Sequence, residues 1–193
     1  YGMLETADLR ASDISLSESG SRFSVSYQNK TQTFHSPLIG RFNIYNCLAA
    51  MSCALLKGIN LKDLIPIIKN FTHVKGRLEA VPNQLGIYIF VDYAHTPSAL
   101  QNTLESLREF SKQKIISVFG CGGDRDRSKR PIMGAIARDF SDFSIITSDN
   151  PRTEDPLIIC QETAAPFQNK QSFLLEPERE IAIKKAIDMA KKG

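Results

Sequence analysis

The sequence predicts an α/β protein with two textures, strands leading in the first part and a parallel sheet running through the second. Two observations carry this. From Ile87 onward, short apolar runs alternate with stretches of helical periodicity, the pattern of βαβ units. Before about residue 40, apolar and polar residues alternate singly, which marks half-buried strands. A third observation bears on function. The unusual polar residues of the second part fall in the three segments that directly follow its apolar runs, where parallel sheets place their ligands.

Each element can be justified in turn. Phe23, Val25 and Tyr27 alternate with Ser24, Ser26 and Gln28, and the polar pair Asn29-Lys30 precedes Thr31, Thr33 and Phe34. Period two around a polar turn predicts a hairpin. From Asn43 to Lys57 the chain is rich in Ala, Leu and Met, which predicts a helix ended by Gly58. The apolar stretch from Leu61 to Phe71 contains Pro66, which should bend or restart it. Periodicity lapses around His73 to Asn83, and a boundary belongs there. Beyond it, Ile87 to Val91, Ile115 to Phe119 and Phe143 to Thr147 read as buried strands. Helices are expected from Pro97 to Lys112, about Lys129 to Phe140 and about Asp155 to Phe167. Phe173 to Leu175 reads as a weaker fourth strand, and Glu178 to Lys192 as a closing amphipathic helix.

Composition narrows the function classes. With 193 residues, 42% hydrophobic and 23% charged, the chain can bury a core of ordinary kind. A formal net charge of +3 is too mild for a nucleic-acid binder, which needs a clustered basic face. No apolar run approaches the roughly 18–20 residues of a membrane span, so no membrane insertion is expected, and no signal-peptide pattern opens the chain. Four widely spaced cysteines, Cys47, Cys53, Cys121 and Cys160, form no Cys-x-x-Cys pair. A reduced, cytoplasmic setting is the simpler expectation. Tyr1 and Gly193 are expected to be cut points in a longer protein.

The three post-strand segments hold the candidate chemistry. In GCGGDRDRSKR (120–130), Gly120, Gly122 and Gly123 allow sharp turns and offer N–H groups to an anion. Arg125, Arg127, Lys129 and Arg130 add positive charge, and arginine can grip a carboxylate through two parallel hydrogen bonds. A solvated glycine turn with surface charges explains this segment about equally well. Cys121 has no sequence-placed base to activate it and reads as a small filler. In SDNPRTEDP (148–156), Asp149, Asn150 and Arg152 offer an acceptor, an amide and a fork of donors, stiffened by Pro151 and Pro156. That set suits a zwitterionic amino acid. A turn into a helix capped by Glu154 and Asp155 is the plainer alternative, but it gives no reason for the arginine.

In DYAHTP (92–97), Asp92 suits a ribose hydroxyl and His95 a substrate hydrogen bond, while Thr96-Pro97 is ordinary helix capping. Two such groups are too few for a metal site. In RFNIYN (41–46), Asn43 and Asn46 lie three apart, so both can project from one face near the helix start. The amide pair could read an adenine edge, and capping by Asn43 is the alternative. His35 and His73 have no polar constellation around them and read as structural.

Five segments in order, GRFNIYN (40–46), GRLE (76–79), DYAHTP (92–97), FGCGGDRDRSKRP (119–131) and DNPRTEDP (149–156), resemble the Mur ligase family. Within it, the chain is most similar to the branch that adds meso-diaminopimelate to UDP-N-acetylmuramoyl-L-alanyl-D-glutamate. The resemblance implies that residues 1–75 are the end of a central ATPase domain and residues 76–193 most of a Rossmann-like C-terminal domain, incomplete at its C-terminus. It implies an ATP-dependent, cytoplasmic ligase working through an acyl phosphate in peptidoglycan precursor synthesis. The UDP-muramoyl dipeptide, meso-diaminopimelate and ATP would be its substrates, with Mg²⁺ as cofactor. Asn43, Asn46, Arg77, Asp92 and, less directly, His95 would meet ATP, with 73–77 as the hinge. Arg125, Asp149, Asn150, Pro151 and Arg152 would hold diaminopimelate. Lysine-adding members usually lack the arginine found at 152, so DNPR favours diaminopimelate.

The family's phosphate loop, Mg²⁺ ligands and modified lysine would lie upstream of Tyr1, and its Gly-Lys-Gly-His-Glu segment beyond Gly193. No metal ligand and no residue performing the chemical step is therefore expected within 1–193, and the isolated chain is expected to be inactive. A lysine-adding or folylpolyglutamate-type ligase, or a non-catalytic nucleotide- or partner-binding module, are the alternatives.

Overall fold

The computed structural model describes residues 1–72, 74–167 and 172–191. Two compact units are present, one comprising 1–81 with 90–92 and the other 82–89 with 93–193. His73, read above as structural and as the start of the hinge, lies outside the described residues.

The first unit opens with an antiparallel meander of β1 (Leu9–Ser17), β2 (Gly20–Tyr27) and β3 (Lys30–Ser36). Phe23 and Phe34 face each other across β2 and β3 and are fully buried, their rings stacked 5.9 Å apart. The hairpin turn falls on Gln28-Asn29, one residue earlier than expected. Both adopt left-handed φ, 47° and 60°, between the paired Tyr27 and Lys30, as tight two-residue turns require. Strand β1 falls within the β-like stretch before residue 40, but a bulge between Ser12 and Ser15 shifts its phase and hides its limits. Leu9 and Ala11 face inward before it, whereas Ile14 within it and Leu16 after it pack on the core, so no single alternation spans the strand.

Helix α1 (Arg41–Leu56) lays Ile44, Leu48 and Met51 on the meander core, a spacing of four and three that keeps one face inward. Gly58, at φ 83°, follows its end. A single 3-10 turn (Leu61–Asp63) leads into α2 (Leu64–Asn70). The break therefore precedes Pro66, which sits in the first turn of α2, where a missing N–H breaks no helix bond. A short ribbon pairs β4 (Glu79–Ala80) antiparallel with β5 (Phe90–Val91). This corrects the expected first strand of the parallel sheet. Within 87–91, Tyr88 and Val91 are exposed while their neighbours are only half-buried, so the run is not a fully buried strand.

The second unit is the expected α/β layer. Its elements are α3 (Pro97–Phe110), β6 (Ile116–Phe119), α4 (Lys129–Phe140), β7 (Phe143–Ile146), α5 (Pro156–Ala164), β8 (Phe173–Leu175) and α6 (Arg179–Met189). The sheet is parallel, in the order β6-β7-β8. Its core joins Leu100 and Leu104 of α3 to Phe119, Ile146, Met133, Ala137, Ile159 and Cys160. Thr96 caps α3 by accepting from Ala99 N at 3.3 Å, with Pro97 in the first turn. Helix α5 stops at Ala164, short of the expected Phe167, because Pro166 cannot continue it. The closing helix ends at Met189, short of the expected Lys192, because Ala190 turns to extended backbone. No helix among the described residues is long and apolar enough to cross a membrane.

Candidate functional site

Strands β6 and β7 run side by side and end at Phe119 and Ile146, and the segments leaving them pack backbone to backbone. Gly123 N–H donates to Asn150 O at 2.8 Å. A Cβ placed on Gly123 would lie 1.9 Å from Pro151 O, and one on Gly120 would lie 2.2 Å from Thr147 O. At both positions any side chain would force the two segments apart, so glycine is required by close approach.

Charge then laces the segments together. Arg130, on the first turn of α4, is completely buried. Its Nη1 donates to Glu154 Oε2 at 2.9 Å and its Nη2 to Glu154 Oε1 at 2.7 Å, the two-pronged geometry arginine favours. Nη1 also reaches Glu162 Oε2 at 2.6 Å, and Arg127 pairs with the other oxygen of Glu162. Glu154 Oε1 additionally accepts from Asp124 N–H at 2.6 Å. Asp124 in turn accepts from the Thr153 hydroxyl at 2.7 Å and the Thr153 N–H at 3.2 Å. The hydrogen bonds from Arg130, then that from Asp124 N–H, draw the Glu154 carboxyl down to about 2. Arg127, then Arg130, hold Glu162 below the usual carboxylate range.

These contacts revise the sequence expectation. Arg127 and Arg130 are committed to carboxylates of the protein itself, and Glu154 is the partner of Arg130 rather than a helix cap. Asp155 alone caps α5, accepting from Leu157 N–H at 2.7 Å. Lys129 donates to the backbone oxygen of His95 at 3.1 Å. Cys121 is buried against Met133, its Sγ 3.7 Å from the thioether, and burial pushes its thiol up, which leaves it a packing residue.

Two arginines of these segments, Arg125 and Arg152, have no carboxylate partner among the described residues. Both are exposed. Arg152 Nη1 donates to Gly123 O at 2.6 Å and lies 3.4 Å from Asn150 O, which leaves the rest of its fork toward solvent. Gly122 forms the floor between them. A Cβ there would stand 3.0 Å from Arg152 Nη1 and 4.0 Å from Arg125 Cγ. Asn150 and the half-buried Pro151 border the same spot, and Asp149 N lies 3.1 Å from the place a Gly120 Cβ would take. The structure thus gathers Arg125, Asn150, Pro151 and Arg152 around Gly122-Gly123, with the exposed Asp149 at their edge. His95 belongs to this unit as well, its Nδ1 3.0 Å from Tyr93 O and its ring tilted on Tyr93 at 5.0 Å.

The remaining predicted residues lie in the first unit. Asn43 is buried, and its Nδ2 donates to Ile39 O at 2.9 Å while its Oδ1 accepts from Asn46 Nδ2 at 3.2 Å. It fastens the helix start to the preceding turn, whereas the cap position is Gly40. Asn46 is exposed and presents the outer edge of the pair. Asp92 Oδ2 accepts from Leu78 N–H at 2.8 Å and so holds the segment that contains Arg77, where Gly76 and Leu78 have φ of 65° and 43°. Among the described residues, no group of three His, Cys, Asp or Glu side chains could hold a metal ion.

The Arg130–Glu154–Glu162 network escaped the sequence reading. A signal was available: Arg130, Met133, Gly134 and Ala137 share the inward face of α4 at helical spacing. An arginine on that face has to meet a carboxylate.

A parallel α/β sheet with glycine-built, arginine-bearing loops at its strand ends belongs to a class of arrangement suited to small anionic or zwitterionic ligands. The comparisons narrow this class. The Mur ligase glutamate ligase domain matches residues 76–193, and the Mur ligase middle domain matches residues 1–54. The chain belongs to the Mur ligase family. It is 42% identical over 195 residues to the UDP-N-acetylmuramoyl-L-alanyl-D-glutamate–2,6-diaminopimelate ligase of Clostridium botulinum, covering 100% of this chain and 40% of that protein. The enzyme of the same name from Clostridioides difficile is 43% identical over 193 residues, again covering 100% and 40%.

A solved structure of a ligase of this name is 36% identical, with a TM-score of 0.71 over 98% of this chain and 39% of its own. Mycobacterium tuberculosis folylpolyglutamate synthase, complexed with ADP, shares the fold at 20% identity, with a TM-score of 0.76 over 95% and 41%. The chain thus spans about 40% of the length of the curated relatives it matches.

Proposed function

We propose that this chain is the amino-acid-binding part, together with the end of the ATPase part, of an ATP-dependent ligase. That ligase adds meso-diaminopimelate to UDP-N-acetylmuramoyl-L-alanyl-D-glutamate. The observation that carries the reading is the pair Arg125 and Arg152, exposed over Gly122 and unmatched by any carboxylate of the described residues. Two cations held on rigid loops suit a ligand that brings carboxylates of its own. The whole-chain likeness to diaminopimelate ligases supports the same ligand.

In this reading, Arg152, Arg125, Asn150, Pro151 and Asp149 bind and orient the amino acid. Its amine then attacks the acyl phosphate that the D-glutamate side chain forms with ATP as ADP leaves, and the new amide bond forms as phosphate departs. The contribution of these residues is positioning, which removes the entropy cost of bringing the two reactants together. Asn46, held by Asn43, presents an amide edge suited to adenine; the family resemblance assigns Arg77, Asp92 and His95 to ATP as well. Residues 1–75 and 76–193 would be the two domain parts, a division that the matched spans support. The family implies Mg²⁺, for which the described residues offer no cluster of three ligands, so these residues are assigned binding and orientation alone.

Specificity follows from charge. Diaminopimelate carries one carboxylate more than lysine, and a site whose arginine awaits that group leaves it unmatched when lysine binds. Sites built this way can reject the lacking analogue by as much as about 10⁴–10⁵-fold. The test is phosphate release by the full-length ligase with ATP, Mg²⁺ and the UDP-muramoyl dipeptide, given diaminopimelate or lysine. Release only with diaminopimelate is expected. Release with lysine alone would refute the role given to Arg152, and release with neither would refute the ligase reading.

A further inference from the structure

We propose that Glu154 is a positioning residue through which the buried Arg130 sets the affinity of the amino-acid pocket. The proposal rests on Arg125 and Arg152 binding the carboxylates of diaminopimelate. Arg130 is fully buried and cannot touch a ligand. Glu154 holds it with both oxygens and uses Oε1 a second time, on Asp124 N–H. Asp124 then binds Thr153 through its N–H and its hydroxyl. The contacts therefore run from Arg130 to the chain neighbours of both exposed arginines: Asp124 precedes Arg125, and Thr153 follows Arg152.

Backbone geometry gives these contacts a purpose. Asp124 and Arg152 are the non-glycine residues of the two loops with left-handed φ, 50° and 52°, a conformation unfavourable for residues with side chains. Each persists because its surroundings hold it. Loss of the Glu154 charge loosens the hold on Asp124, and through Thr153 on Arg152, so both guanidinium groups lose their aim. Glu162 supplies the contrast. It binds the same Arg130 and the exposed Arg127, but among the described residues no hydrogen bond or ion pair joins it to Asp124 or Thr153. Glu162 should therefore matter to folding and leave the pocket unchanged.

The experiment measures steady-state kinetics and thermal midpoints of the full-length ligase as wild type, E154Q, E162Q and R152A. E154Q is expected to raise KM for diaminopimelate about tenfold or more, with kcat and KM for ATP within about twofold. E162Q is expected to lower the thermal midpoint as E154Q does and to leave KM for diaminopimelate alone. Equal rises in E154Q and E162Q, or no rise in E154Q, would overturn the proposal. R152A separates it from the reading beneath it. If R152A raises KM for diaminopimelate and E154Q does not, only the positioning role fails; if R152A leaves KM unchanged, the pocket assignment itself fails. Should E154Q not fold, D124G removes the next link, the Asp124 carboxylate that holds Thr153, at an exposed position where glycine suits the backbone. It is expected to raise KM in the same way, and an unchanged KM would overturn the proposal.

Discussion

At the start of α1 the polar centre is a pair of amides, with Asn43 buried between Ile39 O and Asn46. At the ends of β6 and β7 it is an ionic lattice in which buried Arg130 is shared by Glu154 and Glu162. Both centres fix segments that carry exposed polar groups, but by different physics. A neutral amide network gains its worth from satisfied hydrogen bonds and is indifferent to pH. A buried ion pair is costly to assemble and costlier to break from one side, because the remaining charge is stranded. The first unit therefore presents Asn46 on a support that tolerates acid, whereas the second presents Arg125 and Arg152 on one that does not.

The largest break in this comparison should come from R130M. It takes the buried cation from two half-buried carboxylates, of which Glu162 keeps Arg127, and a loss of up to about 3 kcal/mol is expected from denaturant unfolding. Acid should distinguish the two units next. The Glu154 carboxyl sits at about 2 against an ordinary 4.5. Its contribution is therefore fully present above pH 4.5 and lost as pH falls from about 4.5 toward 2. Hydrogen exchange followed down this range should show the amide of Asp124 losing protection before that of Asn43. Simultaneous loss would contradict the contrast.

G123A should cost about 1–3 kcal/mol by overpacking, since its Cβ would meet Pro151 O at 1.9 Å. The same change at Gly58, where no neighbour lies within 4 Å, meets only its left-handed φ and should cost less by thermal melting. N43A should cost about 1–3 kcal/mol by leaving Ile39 O unpaired, with no change in the acid profile. R152A should be smallest in stability, within about 0.5 kcal/mol, because its side chain is exposed.

What could be read from the sequence divides along the same line. Local patterns were legible: α4 at Lys129–Phe140 and β8 at Phe173–Leu175 fall where periodicity placed them, and Gly58 ends α1 because only its backbone accepts that turn. Elements that depend on register were harder. The bulge in β1 hid its alternation, and the apolar run at 87–91 looked like a sheet strand although its pairing partner is Glu79–Ala80. The exposed loop residues were legible by type, since arginines beside glycines and prolines have few structural reasons to be there. Their division into buried and exposed members was not. Arg130 and Arg125 lie five residues apart in one basic segment, and only packing against α5 sends the first inward and leaves the second out.

In the proposed pocket, Arg152 waits for a carboxylate of the incoming amino acid. Kinetics of R152A in the full-length ligase, with diaminopimelate and ATP varied separately, test it most directly. A KM for diaminopimelate raised by about tenfold or more, with KM for ATP unchanged, is the expected result. Equal rises in both would contradict it.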